Sequence, residues 1–416
     1  MKRFKTLSRS RLKYALTILL SVAIIASLGI HFLINSHAAT PTASSEAENG
    51  TLSGNVIART DASASGGSAV KFGATGATGP LSVRVAKNQL IAGSGAPIVL
   101  RGVNRPGTEY ACIQGWGIFS GAPDLASVQA MQSWHVHVVR IPLNEDCWLN
   151  INGVSAAYGG SNYQQAILNY VNLLSSHGIY TILDLHWSAP GTTAATGQNP
   201  MPDSSHSPAF WQSVATTFKT NPAVVFDLFN EPYPDNNSDT TAAWTCWRDG
   251  GTCPGVSYQV AGMQSLVTTV RATGATNVIM LGGVEYSNSL TQWLTYMPTD
   301  PAGQLAASAH IYGNNACGAQ NNGSCLTNTI APVSAQVPVL FGEVGETYNN
   351  AECTNANIQV ILPWADNHNV SYIPWAWYTA GNCAALISNA DGTVNTTTPA
   401  GATYPQYVHD HLTSFP

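Results

Sequence analysis

Two glutamates stand at corresponding places in the chain. Glu231 closes the run Val225-Phe226-Asp227-Leu228-Phe229-Asn230-Glu231-Pro232, and Glu343 follows the apolar run 337–342 in Gly342-Glu343-Val344-Gly345. Two carboxyl groups facing each other across a cleft can cleave a glycosidic bond. One protonates the leaving oxygen while the other attacks the anomeric carbon or guides water to it. A separation of about 5–5.5 Å gives retention of configuration, and about 6.5–9.5 Å gives inversion. Further polar and aromatic residues end other apolar runs in the same way: Arg140 in Val139-Arg140-Ile141-Pro142, His186 and Trp187 in Asp184-Leu185-His186-Trp187, His310-Ile311-Tyr312, and Trp375-Ala376-Trp377. A nearby arginine and tyrosine hydroxyl favour an ionised nucleophile, and the charge of that carboxylate favours a proton on the other. Either glutamate alone is as easily a capping or salt-bridging residue. The pair, with Asn230 preceding one member and aromatics around both, points to chemistry.

These residues need a scaffold that brings several strand ends to one rim. Eight strand-like runs are expected at 98–104, 136–142, 180–186, 224–230, 277–282, 306–312, 337–342 and 371–378. Every gap has room for a helix, as at 164–177 and 258–273. Eight β-then-α units predict an α/β fold, the (β/α)8 TIM barrel, with its active site at the carboxyl ends of the strands. An open doubly wound sheet fits the same alternation, but no GxGxxG or GxxxxGK[ST] loop follows any strand. The barrel domain is assigned to 81–416.

Arg140, His186, Asn230-Glu231-Pro232, His310-x-Tyr312, Gly342-Glu343-Val344-Gly345 and Trp375, in that order on successive strands, resemble glycoside hydrolase family 5, the cellulase-type members of clan A. The likeness runs over residues 98 to about 380. It implies a retaining, endoglucanase-like O-glycosyl hydrolase with Glu231 as acid/base and Glu343 as nucleophile. It further implies that Asn230 bonds the sugar 2-hydroxyl, Tyr312 bonds Glu343, Arg140 keeps the nucleophile charged, and His186 and His310 position the sugar and the acid/base. Trp375 is the expected tryptophan beneath the cleaved sugar. Trp377, two residues on and so on the same strand face, and Trp187 join it as substrate-binding candidates. Trp116, Trp148, Trp244, Trp247 and Trp293 fall in segments approaching the rim, whereas Trp134, Trp211 and Trp364 read as core.

Other candidates have blander readings. Glu346 reads as a loop residue, Glu285 and Glu109 as cleft-lining or solvated, His135-x-His137 as packing at a strand start, and His409-Asp410-His411 as inert. No CxxC pair, GxSxG elbow or cofactor loop is present, so neither metal nor cofactor is expected.

Of 416 residues, 44% are hydrophobic and 9% charged, which suits a large buried core. Six of the 16 cationic residues, Lys2 to Lys13, precede residue 14 and no acid lies among the first 38, leaving ten cations against 22 acids in the body. Such a body disfavours nucleic acid and suits a neutral polysaccharide or oligosaccharide. The cationic start, the apolar run 14–34 and Ser36-His37-Ala38-Ala39 predict export to the cell exterior or surface, with 1–39 as a cleaved signal or an uncleaved membrane anchor. A monomer is expected. Spacing suggests disulfides Cys246 with Cys253, Cys317 with Cys325 and Cys353 with Cys383, leaving Cys112 with Cys147, among about 105 pairings that eight cysteines allow. Residues 40–80 read as a Gly-, Ala-, Ser- and Thr-rich linker. Within it, Glu46-Ala47-Glu48 and 64–72 resemble the opening of family 6/35-like carbohydrate-binding modules, but about 30 residues cannot build a sandwich, and a short β-hairpin is the simpler expectation.

Two readings compete with a cellulose-type hydrolase. One is a β-mannanase or other β-glycanase on the same residues, and the other a non-catalytic cell-surface sugar-binding protein, which retention of both carboxylates disfavours.

Overall fold

The runs rich in Val, Ile and Leu become strands because branched side chains pack well on a pleated sheet that is covered on both faces. The computed structural model describes residues 56–60, 68–72, 81–321, 323–346, 354–379, 382, 384–396 and 403–416. Eight strands, β1 (Gly102–Asn104), β2 (Val138–Asn144), β3 (Tyr180–Trp187), β4 (Val224–Asp227), β5 (Ile279–Gly282), β6 (Leu305–Tyr312), β7 (Val339–Gly345) and β8 (Ser371–Pro374), pair in parallel and in chain order. A parallel bridge between Arg101 and Tyr372, with the Tyr372 amide donating to the Leu100 carbonyl at 3.0 Å, brings the last strand back to the first. The result is the expected (β/α)8 barrel.

Alternation along the strands sorts side chains into two sets. Val139, Ile141 and Leu143 of β2 point outward into the shell shared with the helices, and Val138, Ile182, Val225, Met280, Leu340 and Ile373 point inward at the strand starts. A three-stranded antiparallel sheet (83–86, 89–92 and 97–98) packs Val83 and Leu90 against that inner set and so covers the amino-terminal end of the barrel. Each fully buried aliphatic side chain contributes about 1.5–3 kcal/mol. With its amino end filled by apolar side chains, the barrel leaves only its carboxyl end for polar groups.

Several boundaries differ from the sequence expectation. Residues 97–98 belong to the covering sheet, so β1 starts only at Gly102. The helix expected over 164–177 spans Ser161–Ser176, and that expected over 258–273 is Met263–Ala272, because Val260–Ala261 pairs with Gly250–Gly251. β4 ends at Asp227, leaving Asn230 and Glu231 on the following turn. Disulfides join Cys112 to Cys147, Cys246 to Cys253 and Cys317 to Cys325, while Cys353 and Cys383 lie outside the described residues.

Val56–Thr60 and Ser68–Phe72 pair as an antiparallel hairpin in a separate unit ahead of the barrel. The apolar run 14–34 lies outside the described residues, as does Glu46-Ala47-Glu48. Among the described residues, no helix is long and apolar enough to cross a membrane.

Candidate active site

At the centre of the rim Arg140 is fully buried and uses every arm of its guanidinium. Nε donates to Asp227 Oδ2 at 3.0 Å, Nη2 to Asn230 Oδ1 at 2.8 Å, and Nη1 to Asn104 Oδ1 and Glu343 Oε1, each at 3.0 Å, while Nη2 also forms an ion pair with Asp184 Oδ2 at 2.9 Å. Burial opposes the Arg140 charge, but Asp184, Asp227 and Glu343 outweigh it and hold the guanidinium cationic. One cation cannot balance three buried carboxylates. Burial raises Asp184 to about 7, against the pull of Arg140, and pushes Asp227 well above the usual carboxylate range.

Glu343 reaches this position through a break in the β7 register. Ala309 pairs with Phe341 but His310 pairs with Glu343, so Gly342 is the extra residue of a bulge. Strict alternation from Leu340 would put Gly342 inward and Glu343 outward, and the bulge reverses this. Gly342 has to lack a side chain, since a Cβ there would sit 2.8 Å from Ser308 Oγ and 2.9 Å from His310 Nε2. Gly345 is similarly constrained by the Tyr312 ring, 2.9 Å from where its Cβ would be. That ring places its hydroxyl 2.6 Å from Glu343 Oε2. Burial, then the Glu343 charge, pushes the phenol far above its ordinary pKa, so it remains a donor.

Glu231 stands opposite. His310 Nδ1 lies 2.9 Å from its Oε1 and 3.8 Å from Glu343 Oε2, and Gln198 Nε2 donates to its Oε2 at 2.6 Å. Burial raises the Glu231 pKa, with Gln198, His186 and Arg140 acting in the other direction. Burial also drives His310 down to about 3, so the imidazole between the two glutamates is neutral. One oxygen of Glu231, one of Glu343 and a His310 nitrogen all lie within 4.8 Å of one another. His186, its pKa lowered by burial, bonds Asp184 Oδ2 through Nδ1 at 2.6 Å and stacks on Trp375 with ring centroids 5.8 Å apart. The Asn230 carbonyl oxygen is taken by Arg140, while its buried Nδ2 has no protein partner.

The structure therefore brings together Glu231, Glu343, Arg140, His186, Asn230, His310, Tyr312 and Trp375. Trp187 lies farther along the rim, 6.4 Å from the Tyr110 ring, which is 5.9 Å from the half-exposed Trp116. Trp377 does not join them. β8 ends at Pro374, so the two-residue alternation stops there, and Trp377 is 4% exposed and packs edge-on against Trp134 at 5.0 Å. Trp148, Trp244, Trp247 and Trp293 are likewise fully buried and belong to the core. Glu346 is a helix cap, accepting from the Asn357 and Ile358 amides at 3.0 Å. His411 is structural, bonding Asp366 at 2.9 Å.

Four participants escaped the sequence reading: Asn104, Asp184, Asp227 and Gln198. Asp184 had a signal, being two residues before His186 and so on the same face of β3. Asn104 and Asp227 end their strands as the recognised residues do. Gln198 had none, because it comes from the irregular loop between β3 and the helix Ser207–Phe218.

The family model for cellulase (glycosyl hydrolase family 5) matches residues 92–381. A manganese-dependent endoglucanase of Phanerodontia chrysosporium is 24% identical over 315 residues, 71% of this chain and 68% of its own. Endo-β-1,4-glucanase A of Emericella nidulans is 23% identical over 314 residues, 70% of this chain and 86% of its own. Among solved structures, a β-glucanase from Saccharophagus degradans superposes with a TM-score of 0.58 at 21% identity, over 80% of this chain and 94% of that one, and its complex with cellotetraose does so with the same score.

Proposed function

The chain belongs to the cellulase family, glycosyl hydrolase family 5, and is a glycoside hydrolase; we propose that it is an exported, retaining enzyme cutting β-1,4-linked glucan, with Glu231 as acid/base and Glu343 as nucleophile. The observation that carries the mechanism is the approach of the two carboxyl groups, whose oxygens come within 4.8 Å. Oxygens this close favour the short carboxyl separation of a retaining enzyme, about 5–5.5 Å, over the roughly 6.5–9.5 Å of an inverting one.

In the first step a Glu343 oxygen attacks the anomeric carbon as the carbon–oxygen bond to the leaving sugar breaks, and the Glu231 proton passes to the departing oxygen. Arg140 and Tyr312 hold the attacking carboxylate by one oxygen each. In the second step water attacks the glycosyl ester, gives its proton to Glu231 and frees Glu343, so configuration is retained. Asn230 Nδ2, without a protein partner, is the donor for the sugar 2-hydroxyl, and Trp375 supplies a flat apolar face for the ring. β-Glucan is the favoured substrate because the relatives named above are endoglucanases and a β-glucanase. Three disulfides among the described residues and the cationic-then-apolar run over 2–34 support export.

The test is reducing-sugar release from carboxymethylcellulose, mixed-linkage glucan, xyloglucan and glucomannan by the wild type, Glu231→Gln and Glu343→Gln. Release from a glucan that falls by about 10³-fold or more in both variants is the expected result. Preference for glucomannan would move the substrate to mannan, and no release by folded wild type would overturn the reading. A parallel assay after chelation, with manganese restored, tests the expectation that Glu231, His310 and Glu343 act without a metal.

A further inference from the structure

We propose that Gln198 is a positioning residue for the acid/base, its side-chain amide fixing the plane of the Glu231 carboxyl from the oxygen that His310 does not reach. The proposal rests on the glycosidase reading above. Glu231 lies beyond the end of β4 at Asp227, on backbone tied down on either side of it, the Asn230 amide to the Leu185 carbonyl at 3.1 Å and the Pro232 carbonyl to the Tyr286 amide at 2.9 Å, so what remains to be fixed is its side chain. The terminal torsion of a glutamate is broad, so a carboxyl held at one oxygen swings. Here each oxygen has its own partner, His310 Nδ1 on Oε1 at 2.9 Å and Gln198 Nε2 on Oε2 at 2.6 Å.

The loop that delivers Gln198 is itself fixed. Ala195 is held by both backbone groups, its amide on Asp146 Oδ2 and its carbonyl on Asn144 Nδ2, each at 2.8 Å. Three residues past Gln198, Met201 donates its amide to the Tyr258 hydroxyl at 3.2 Å and accepts from that hydroxyl at 2.5 Å. Tyr233, two residues after Glu231, donates its hydroxyl to the Gln198 carbonyl at 3.3 Å. Loop and turn are thus tied twice, side chain to side chain between Gln198 and Glu231 and side chain to backbone between Tyr233 and Gln198.

Titratable groups face Glu231 from the other elements. His310 and Tyr312 come from β6, Glu343 from β7, Arg140 from β2, and Asp184 and His186 from β3. Tyr233 and Tyr286 flank it, stacked on each other at 4.3 Å. Gln198 alone among its direct partners is a neutral amide that keeps its charge state at every working pH. Its N–H bond favours the carboxylate over the acid, opposing the effect of burial.

The test uses kcat/KM of Gln198→Ala and Gln198→Glu on two substrates, across pH. Phenyl β-cellobioside needs its leaving oxygen protonated, whereas 2,4-dinitrophenyl β-cellobioside does not. Gln198→Ala is expected to lose about tenfold or more on the phenyl substrate and to stay within about twofold on the dinitrophenyl one. Its alkaline limb should move up by roughly half a pH unit, and that of Gln198→Glu, which adds a second carboxylate, further. Equal losses on both substrates, no loss on either, or an unmoved limb each overturn the proposal. Because Gln198 is exposed, both variants are expected to melt as the wild type does. Wild-type failure on the dinitrophenyl substrate would instead sink the glycosidase reading itself.

Discussion

The Tyr312 hydroxyl donates to Glu343 at 2.6 Å from a ring packed against a glycine that cannot be replaced without moving it. A hydrogen bond to a charged group is worth about 1.5–3 kcal/mol. Tyr312→Phe keeps the ring and removes the donor, so kcat/KM on cellotetraose should fall by about 10- to 100-fold with thermal stability nearly unchanged. Retention of full activity would show that Arg140 alone holds the nucleophile.

In the proposed mechanism Glu231 must carry its proton, and burial raises its pKa above the ordinary value of 4.5. Activity is therefore expected to fall as pH rises through that raised value, placing the alkaline limb of kcat/KM above the range in which a solvated glutamate ionises. A limb at the ordinary glutamate value would contradict this.

Glu145 extends the same reasoning to stability. It is fully buried, with the Ser207 hydroxyl 2.6 Å from its Oε2 and 3.2 Å from Asp203 Oδ2, and burial followed by Asp203 pushes its pKa well above the ordinary value. A raised folded-state pKa contributes stability that is present below the unfolded value and lost as pH rises through the folded one. Between about pH 5 and about pH 9 the melting temperature of Glu145→Gln should fall less than that of the wild type. Parallel curves would show that Glu145 does not hold a proton.

In the proposed mechanism Trp375 serves the substrate and Trp377 the core, although they are two residues apart. Trp375→Ala should lower kcat/KM on cello-oligosaccharides by about tenfold or more, through the lost stacking face. Trp377→Ala should cost about 3–5 kcal/mol of stability, as expected of a tryptophan removed from a core. Denaturant melts run beside kinetics separate the two.

Cys112 and Cys147, both buried, close a loop spanning 35 residues that includes the helix Leu125–Ser133 and all of β2. Their joint replacement by serine should cost about 3–4 kcal/mol, read as a lower melting temperature. Since Tyr110 and Trp116 flank Cys112, KM for long substrates should rise as well.

The barrel was legible in the chain because its strands are apolar and evenly punctuated, and the rim residues were legible because they end those strands. Orientation was harder to read. Period-two reasoning placed Trp375 and Trp377 on one face, but the strand stops at Pro374. The same reasoning from Leu340 would turn Glu343 away from the barrel, and only the bulge at Gly342, set by the ladder to His310, turns it in. Gln198 depends on the path of an irregular loop, fixed by contacts with Asp146, Asn144 and Tyr258 that lie far from it in sequence. Local pattern carries no information about such contacts.

The sheet under the barrel bears on where the chain can be trimmed. Likeness to the family spans 92–381, yet Val83 and Leu90 seal the floor, and the Val83 amide bonds the Pro222 carbonyl at 2.9 Å. At the other end the Tyr404 hydroxyl donates to the Trp375 carbonyl at 2.6 Å. A fragment cut to the recognisable borders would expose the apolar floor to water and free the backbone at Trp375. The smallest autonomous catalytic piece is therefore larger than the homologous one, beginning before Val83 and ending after Tyr404.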